Sequence, residues 1–271
     1  MNFELSLLRM KNKLICFFSP YIAARQAREL FLTPKKFPIK HWELEMEEKG
    51  IRTDAVNGLS TISWGKSDRK VLLVHGWESR ATQLSGFVEY LVSAGFQVFA
   101  MDGPAHGHSN GTKANPYEFS KAVEYIYEKQ GPFEGIIGHS MGAAAVAASM
   151  SESVNPNKLV LISSPSSILS VLKRFSKFIG LTSESSKIFI KLIEREVGVP
   201  ASKLDTANNM VGQQVRGLII HDEYDVEVPY KDALLINSDW KNSSLITTSG
   251  LGHRAIVRNP IIWKKVADFM S

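Results

Sequence analysis

Ser140 lies between two glycines in the segment Gly138-His139-Ser140-Met141-Gly142, which connects a short apolar run to an alanine-rich stretch. A serine in a tight turn between a strand and a helix exposes its hydroxyl at the end of a sheet. Only small residues fit two positions before and after such a serine. Because the protonated hydroxyl is a poor nucleophile, the chemistry also needs a base beside it. We therefore predict that Ser140 is the nucleophile of an acyl transfer.

Apolar runs alternate with helical patterns along most of the chain, which predicts a parallel sheet covered by helices on both faces. The predicted strands are 70–74, 96–100, 135–137, 158–162, 216–220 and 244–248, and the predicted helices are 80–94, 116–129, 141–150 and 261–270. Segments 41–46 and 59–64, on either side of Asn57-Gly58, are predicted to pair as a β-hairpin. Ser140 follows strand 135–137, at the sheet edge where function gathers in such folds.

Further segments, together with the serine turn, resemble the motifs of the α/β-hydrolase superfamily over about residues 59–271. They are Val74-His75-Gly76-Trp77, Asp102-Gly-Pro-Ala-His106-Gly-His-Ser109, His221-Asp-Glu-Tyr-Asp225-Val-Glu-Val-Pro229 and Gly250-Leu-Gly-His253. The resemblance implies an α/β-hydrolase fold: a mostly parallel central sheet, helices on both faces, and a small helical cap inserted before the acid-bearing strand. Two positions depart from the family pattern, because Ala105 and Asp222 stand where glycine is usual.

The resemblance also implies a role for each candidate site residue. Ser140, Asp225 and His253 occur in the chain order that this fold uses for its nucleophile, acid and base. His253 would take the serine proton and return it to the leaving group, and Asp225 would hold the imidazole in the correct tautomer. The backbone N–H groups of Trp77 and Met141 would form the oxyanion hole.

The identity of the acid leaves one alternative open. Asp222 stands at the end of its strand, and we expect it to be too early in the loop to reach His253. The position after the preceding strand, which carries the acid in some relatives, holds Ser163-Ser164. Asp225 is therefore the predicted acid, and substitution of either aspartate tests the choice.

Asp102, His106 and His108 are of the residue types that bind zinc. The resemblance accounts for Asp102 and His106 without a metal, and zinc-ligand spacings do not occur elsewhere in the chain. We therefore predict no metal site and no organic cofactor.

Residues 165–204 interrupt the alternation with two amphipathic patterns, which predict a helical hairpin over the active edge of the sheet. Two ordinary surface helices are the alternative. Caps of this kind enclose substrate and exclude water. We expect Trp77, His139, Leu172 and Phe175 to contact the substrate, although the apolar cap residues could equally serve to bury the cap against the body.

The predicted function is a serine hydrolase that cleaves a carboxylic ester, because esters are the most frequent substrates of relatives with this motif set. The same three residues would serve a thioesterase, a lactonase, an amidase or a hydrolase of carbon–carbon bonds. A member of the fold that binds a small molecule without catalysis is an alternative from a different class.

The net charge of +5 is unevenly distributed. Residues 1–40 carry eight basic and two acidic side chains, residues 165–204 carry seven and three, and the remainder has a net charge of −5. Nucleic-acid binding needs a continuous basic face on the main fold, so we predict no nucleic-acid partner. The N-terminal segment is predicted to form amphipathic helices, about 1–18 and 19–32, that pack on the domain or rest on a membrane surface.

The predicted organisation is a basic helical extension (1–40), a core (41–164 and 205–271) and a helical cap (165–204). A single cysteine, Cys16, excludes an intramolecular disulfide. No apolar run reaches the roughly 18 residues of a membrane span. We expect a cytoplasmic location, with peripheral membrane contact through the N-terminal segment as an alternative.

Overall fold

A computed structural model describes residues 3–54, 57–151 and 153–271 of the protein. In these residues one sheet has eight strands, in the spatial order β1-β2-β4-β3-β5-β6-β7-β8. The strands are β1 Ile51–Asp54, β2 Ser60–Trp64, β3 Lys70–Val74, β4 Gln97–Asp102, β5 Gly135–His139, β6 Lys158–Ile162, β7 Arg216–Asp222 and β8 Ser243–Thr248. Strand β2 is antiparallel to β1 and β4, and all other neighbours are parallel. The predicted fold class, a mostly parallel sheet with helices on both faces, is confirmed.

Helices flank the sheet, and others precede its first strand or follow its last strand along the chain. They are α1 Phe3–Phe18, α2 Pro20–Leu32, α3 His41–Lys49, α4 Val88–Ser93, α5 Pro116–Gln130, α6 Met141–Ser149, α7 Ile168–Ile179, α8 Ser183–Val197, α9 Thr206–Met210, α10 Lys231–Asp239, α11 Gly252–Ala255 and α12 Pro260–Met270. Within the described ranges, no helix has both the length and the apolar character needed to cross a bilayer.

The central strands are apolar throughout because both faces of the sheet are covered. In β3, Val71 and Leu73 pack under α4 and α12, whereas Leu72 and Val74 pack under α5, α6, α9 and α10. All four side chains are fully buried. The period of two in the strand therefore places alternate residues in two separate cores.

A third core lies among α1, α2, α7 and α8, which are called here the helical layer. Helix α2 packs along α8, and α1 contacts both α2 and α7. Both amphipathic patterns in 165–204 form helices as predicted, and the N-terminal helices pack on them. The helical layer therefore combines the two segments that carry most of the positive charge.

The predicted strand at 41–46 is wrong. This segment is the start of α3, and the strand that pairs with β2 is β1, with Ile51 opposite Ser63. The side chain of Glu43 accepts a hydrogen bond from the backbone N–H of Lys40 (2.9 Å), which closes the first turn of the helix. Glutamate, leucine, methionine and lysine also favour a helix over a strand.

Candidate active site

Ser140 lies at the sharp turn between β5 and α6, with φ 54° and ψ −120°. A non-glycine residue at positive φ is strained, and such strain is kept where the surroundings enforce it. A Cβ on Gly138 would lie 2.6 Å from the Cα of Ala143, and a Cβ on Gly142 would overlap the carbonyl oxygens of Val74 and His75. Both glycines are therefore required by close contacts, as the small-residue argument predicts.

The structure brings the three predicted side chains into one hydrogen-bonded chain. His253, in α11, has its Nε2 2.9 Å from the Oγ of Ser140 and its Nδ1 2.7 Å from the Oδ2 of Asp225. Asp225 and His253 are both buried. A carboxylate can only accept, so Nδ1 carries the proton and Nε2 accepts from the serine hydroxyl. This is the arrangement in which an imidazole can take the serine proton.

The carboxylate of Asp225 is held by several donors. Its Oδ1 accepts from the backbone N–H groups of Glu227 (2.9 Å) and Val228 (2.8 Å). The Nε2 of His221 lies 3.4 Å from its Oδ2. Burial alone would raise the pKa of Asp225, but the nearby N–H of His221, which donates chiefly to the carbonyl oxygen of Val228 (2.9 Å), and the hydrogen bond from His253 outweigh burial and hold the pKa well below its ordinary value. The acid is therefore a fixed anion beside the imidazole.

Asp222, the alternative acid, makes other contacts. It is fully buried at the end of β7 and accepts hydrogen bonds from Tyr224 N–H (3.0 Å), Thr248 Oγ1 (2.7 Å) and Leu251 N–H (2.8 Å). These bonds tie the loop after β7 to the loop after β8, which leads to His253. The geometry thus supports a positioning role for Asp222.

The other alternative acid position, after β6, holds two serines, and among the described residues neither side chain has a hydrogen bond to the imidazole of His253. Ser163 is fully buried, and in the part of the chain that the structure describes its Oγ has no hydrogen-bond partner. The hydroxyl of Ser164 pairs with that of Thr206 (3.2 Å).

The loop after β3 lies directly against the serine turn. A Cβ on Gly76 would lie 3.0 Å from the Cβ of Ser140. Among the described residues, the N–H groups of Trp77 and Met141 donate no hydrogen bond. The N–H of Met141 is also the first of its helix, where the helix dipole favours negative charge. Within the described residues, both amides are therefore donors without a partner in the backbone segments that flank Ser140.

Asp102 and His106 support this loop. The Asp102 carboxylate accepts from Ala81 N–H (2.8 Å) and from the guanidinium of Arg52 (2.9 Å). The Nε2 of His106 accepts from the N–H of Glu78 (3.0 Å), next to Trp77. Burial lowers the pKa of His106 to about 3, so its ring is neutral and can accept that bond. We infer that these residues position the loop after β3.

The three residues considered as zinc ligands, Asp102, His106 and His108, each contact different groups of the protein. The Nε2 of His108 lies 3.1 Å from a carboxylate oxygen of Glu47, at the surface. Within residues 3–54, 57–151 and 153–271, no cluster of three or more His, Cys, Asp or Glu side chains could hold a metal ion.

Two predicted substrate contacts, Trp77 and Phe175, lie around a side chain that the sequence reasoning missed. Phe31, in α2, stacks on the indole of Trp77 (ring centroids 6.3 Å apart) and meets Phe175 edge-on (5.1 Å). It also meets Phe189 edge-on (5.8 Å). The N-terminal segment therefore contributes a buried aromatic side chain that packs on Trp77, in the loop after β3. The one available signal was the amphipathic pattern of 19–32, which gave no position for the helix.

The other two predicted substrate contacts are engaged elsewhere. The Nε2–H of His139 donates to the backbone carbonyl of His253 (2.9 Å), and burial lowers the pKa of His139 to about 3. Its ring therefore links β5 to the turn that carries the base. Leu172 is fully buried in the core of the helical layer.

The sheet order, the strained serine turn and the covering helices define an α/β hydrolase. A family model described as serine aminopeptidase, S33, matches residues 65–206, about half of the chain. The protein belongs to this hydrolase family within the α/β-hydrolase superfamily. No curated protein sequence matches the chain.

Solved structures share the fold. An esterase of Pyrococcus furiosus, Pf2001, has 22% sequence identity and a TM-score of 0.63, and the match covers 88% of this chain and 98% of that one. Est1E from Butyrivibrio proteoclasticus, solved with ferulic acid, has 17% identity and a TM-score of 0.64, covering 81% and 97%. A thioesterase domain from the curacin biosynthetic pathway has 15% identity and a TM-score of 0.58, covering 82% and 98%. At these identities the likeness establishes the shared fold.

Proposed function

We propose that the protein is a serine hydrolase that cleaves a carboxylic ester of a small molecule through an acyl-enzyme on Ser140. The observation that carries the proposal is the hydrogen-bonded chain from the Oγ of Ser140 through His253 to Asp225. Membership of a hydrolase family and the two amides beside the serine support the same reaction class.

In acylation, the Oγ of Ser140 forms a bond to the ester carbonyl carbon as its proton moves to the Nε2 of His253. The carbonyl electrons move onto oxygen, and the N–H groups of Trp77 and Met141 stabilise this oxyanion. When the tetrahedral intermediate collapses, the bond to the alcohol breaks and the alcohol leaves with the proton from His253. Asp225 stabilises the imidazolium in between.

In deacylation, His253 takes a proton from a water molecule, and the oxygen of that water attacks the acyl carbon. Collapse of the second tetrahedral intermediate breaks the bond to Ser140 and returns the proton to its Oγ. The carboxylic acid leaves, and the enzyme has the same protonation state as at the start. No cofactor is needed for these reaction steps.

An ester is the bond that the surroundings favour. A structural neighbour named as an esterase, Pf2001, shares the fold. The partly exposed side chains of Trp77 and Phe175 offer an apolar surface beside the proposed oxyanion hole, and the buried Phe31 packs against both. Such a surface suits an apolar acyl or alcohol group.

Labelling with a fluorophosphonate, read by intact mass, tests the nucleophile. We expect one adduct on the wild type and none on Ser140→Ala. Ser163→Ala is the matched control, because it removes a serine hydroxyl at the end of the adjacent strand, and it should leave labelling unchanged. A folded wild type without an adduct, or an adduct that persists on Ser140→Ala, would contradict the proposal.

A substrate panel then tests the bond. p-Nitrophenyl esters of increasing chain length should be cleaved, with kcat/KM at least about tenfold above that for a matched acyl thioester. An aminoacyl p-nitroanilide covers the peptidase activity in the family's name. Faster cleavage of the thioester or the anilide than of every ester would replace the ester in the proposal.

A further inference from the structure

Helix α1 exposes a stripe of large apolar side chains to solvent. Leu7, Met10, Leu14, Phe17 and Phe18 are 52%, 65%, 61%, 82% and 76% exposed. At about 100° per residue they all lie within about 60° of the direction of Leu14, so they share one side of the helix. Called here the α1 stripe, these five residues form a contiguous apolar surface of the kind that marks an interaction site.

The opposite side of α1 is fixed to the rest of the protein. The side-chain amide of Asn12 donates to the carbonyl oxygen of Ile179 (2.8 Å), and the buried Cys16 accepts from the hydroxyl of Ser185 (3.2 Å). The stripe is therefore presented outward by a helix with a fixed rotation. The side of α1 that faces the rest of the protein is the opposite one, which carries Asn12 and Cys16.

The apolar surface continues beyond α1. Tyr21 and Ile22, at the start of α2, are 52% and 49% exposed. The rings of Phe17 and Phe18 meet edge-on, 5.3 Å apart, at the end of α1. The exposed aromatic rings thus gather where the two helices join.

Basic side chains border the α1 stripe. Lys11 and Lys13 are exposed on its two flanks. A shallow hollow beside the stripe is lined by Arg9, Lys13 and Lys177 together with apolar side chains. Among the described residues, the ammonium groups of Lys11, Lys13 and Lys177 pair with no carboxylate. An apolar face with lysines on its borders is the pattern of a helix that lies in a lipid interface.

We propose that the α1 stripe docks the protein on an anionic lipid bilayer. The apolar side chains would enter the boundary between headgroups and acyl chains, while Lys11, Lys13 and Lys177 would contact anionic headgroups. A second copy of the chain fits less well, because residues 1–40 carry a net charge of +6 and two such faces would repel each other. This docking is independent of the proposed ester hydrolysis.

Co-sedimentation with vesicles tests the proposal. We expect the full-length protein to bind vesicles of phosphatidylcholine with about 30% phosphatidylserine, and to bind pure phosphatidylcholine at least about tenfold more weakly. Binding should weaken as salt rises from about 0.1 M to about 0.5 M. Ser140→Ala should bind as the wild type does, which separates this result from the proposed catalysis.

Two double variants assign the binding to the stripe. Phe17→Ser with Phe18→Ser should abolish sedimentation, and Lys11→Gln with Lys13→Gln should weaken it by about fivefold per lysine. The matched control is Leu234→Ser with Leu235→Ser, a pair of adjacent apolar side chains that are about half exposed on α10. This control should bind as the wild type does.

Three results would overturn the proposal. The first is absence of binding to the anionic vesicles, and the second is an equal loss of binding in the α10 control. The third is a wild type that is dimeric by light scattering, that becomes monomeric with Phe17→Ser and Phe18→Ser, and that binds vesicles in neither form. The last result would assign the stripe to a second copy of the chain.

Discussion

The sheet edge, a name used here for the loops that follow β3, β4, β5, β7 and β8, differs from the helical layer in the interactions that stabilise it. The sheet edge is fixed by hydrogen bonds to buried side chains and by glycines in close contact with backbone. The helical layer is held mainly by apolar packing of residues such as Phe31, Leu172 and Phe189. Hydrogen bonds are directional whereas the hydrophobic effect is not, so the sheet edge specifies the positions of particular atoms and the helical layer specifies mainly which apolar surfaces are covered.

The division suggests where substitutions act. Changes at the sheet edge should abolish chemistry or folding, because a lost partner leaves a buried charge or a steric overlap. Changes in the helical layer should alter which substrates or surfaces are bound, because an apolar surface tolerates new shapes of similar volume.

The largest expected effect is at the acid. Asp225→Asn should lower kcat for ester hydrolysis by about 10⁴, because the amide favours the wrong imidazole tautomer and cannot stabilise the imidazolium. Asp222→Asn is the comparison, since its carboxylate is also buried, at the end of β7 and three residues before Asp225. It should keep kcat within about tenfold and lower the free energy of unfolding by about 1–3 kcal/mol. If the two variants exchange these effects, Asp222 is the acid and the assignment of Asp225 fails.

The chemical part of the site was predictable because each member lies in a short motif. Gly138, Ser140 and Gly142 specify a turn through local sterics, and the segments that carry Asp225 and His253 follow strands that the apolar runs locate. The covering side chain was not predictable. Phe31 reaches the site only through packing of α2 on α8, and no local pattern records a contact between distant segments.

The error at 41–46 has a related cause. Alternating apolar and acidic residues in this segment match a strand, but the same residues favour a helix, and short segments carry too few periods to decide. The hydrogen bond from Lys40 N–H to Glu43 supplies the decisive first turn. The sequence motif for that bond is weak because its first residue is a lysine rather than a serine or threonine.

A steric test of the sheet edge comes next in size. Gly142→Ala should lower the free energy of unfolding by about 3 kcal/mol, because a Cβ there overlaps the carbonyl oxygens of Val74 and His75. Gly95→Ala is the control: its φ is +87° and a Cβ would meet nothing within 4 Å, so only the backbone strain of about 1 kcal/mol is expected. Urea unfolding measures both. Equal losses would mean that the contact around Gly142 is less rigid than described.

Acid should weaken the sheet edge selectively. Burial lowers the pKa of His106 and of His139 to about 3, whereas the unfolded value is about 6.5. Below that pH the unfolded chain binds protons that the folded state does not, so stability is full above about pH 6.5 and is lost as the pH falls towards 3. Each histidine contributes up to about 1.4 kcal/mol per pH unit in this window. None of the seven histidines lies in α1, α2, α7 or α8.

Urea unfolding at about pH 7 and about pH 5 measures this slope. His106→Gln should lose roughly 1–2 kcal/mol less stability than the wild type over that interval. Asn208→Gln, at an exposed side chain that does not titrate, is the control and should keep the wild-type slope. An unchanged slope in His106→Gln would show that His106 is not buried as a neutral ring.

The smallest effect is expected in the helical layer and concerns selectivity. Phe31→Leu keeps an apolar side chain in the core of the layer but removes the ring that stacks on Trp77. The space gained should raise kcat/KM for long-chain p-nitrophenyl esters relative to acetate by about tenfold, with kcat for acetate nearly unchanged. Leu30→Ala, at an exposed neighbouring position, should leave the ratio unaltered. An unchanged ratio in Phe31→Leu would place the acyl group away from α2. A fall in kcat for every ester would instead show that the helical layer, like the sheet edge, fixes the reacting atoms. In that case apolar packing of Phe31 against Trp77 would be holding the loop after β3 in place.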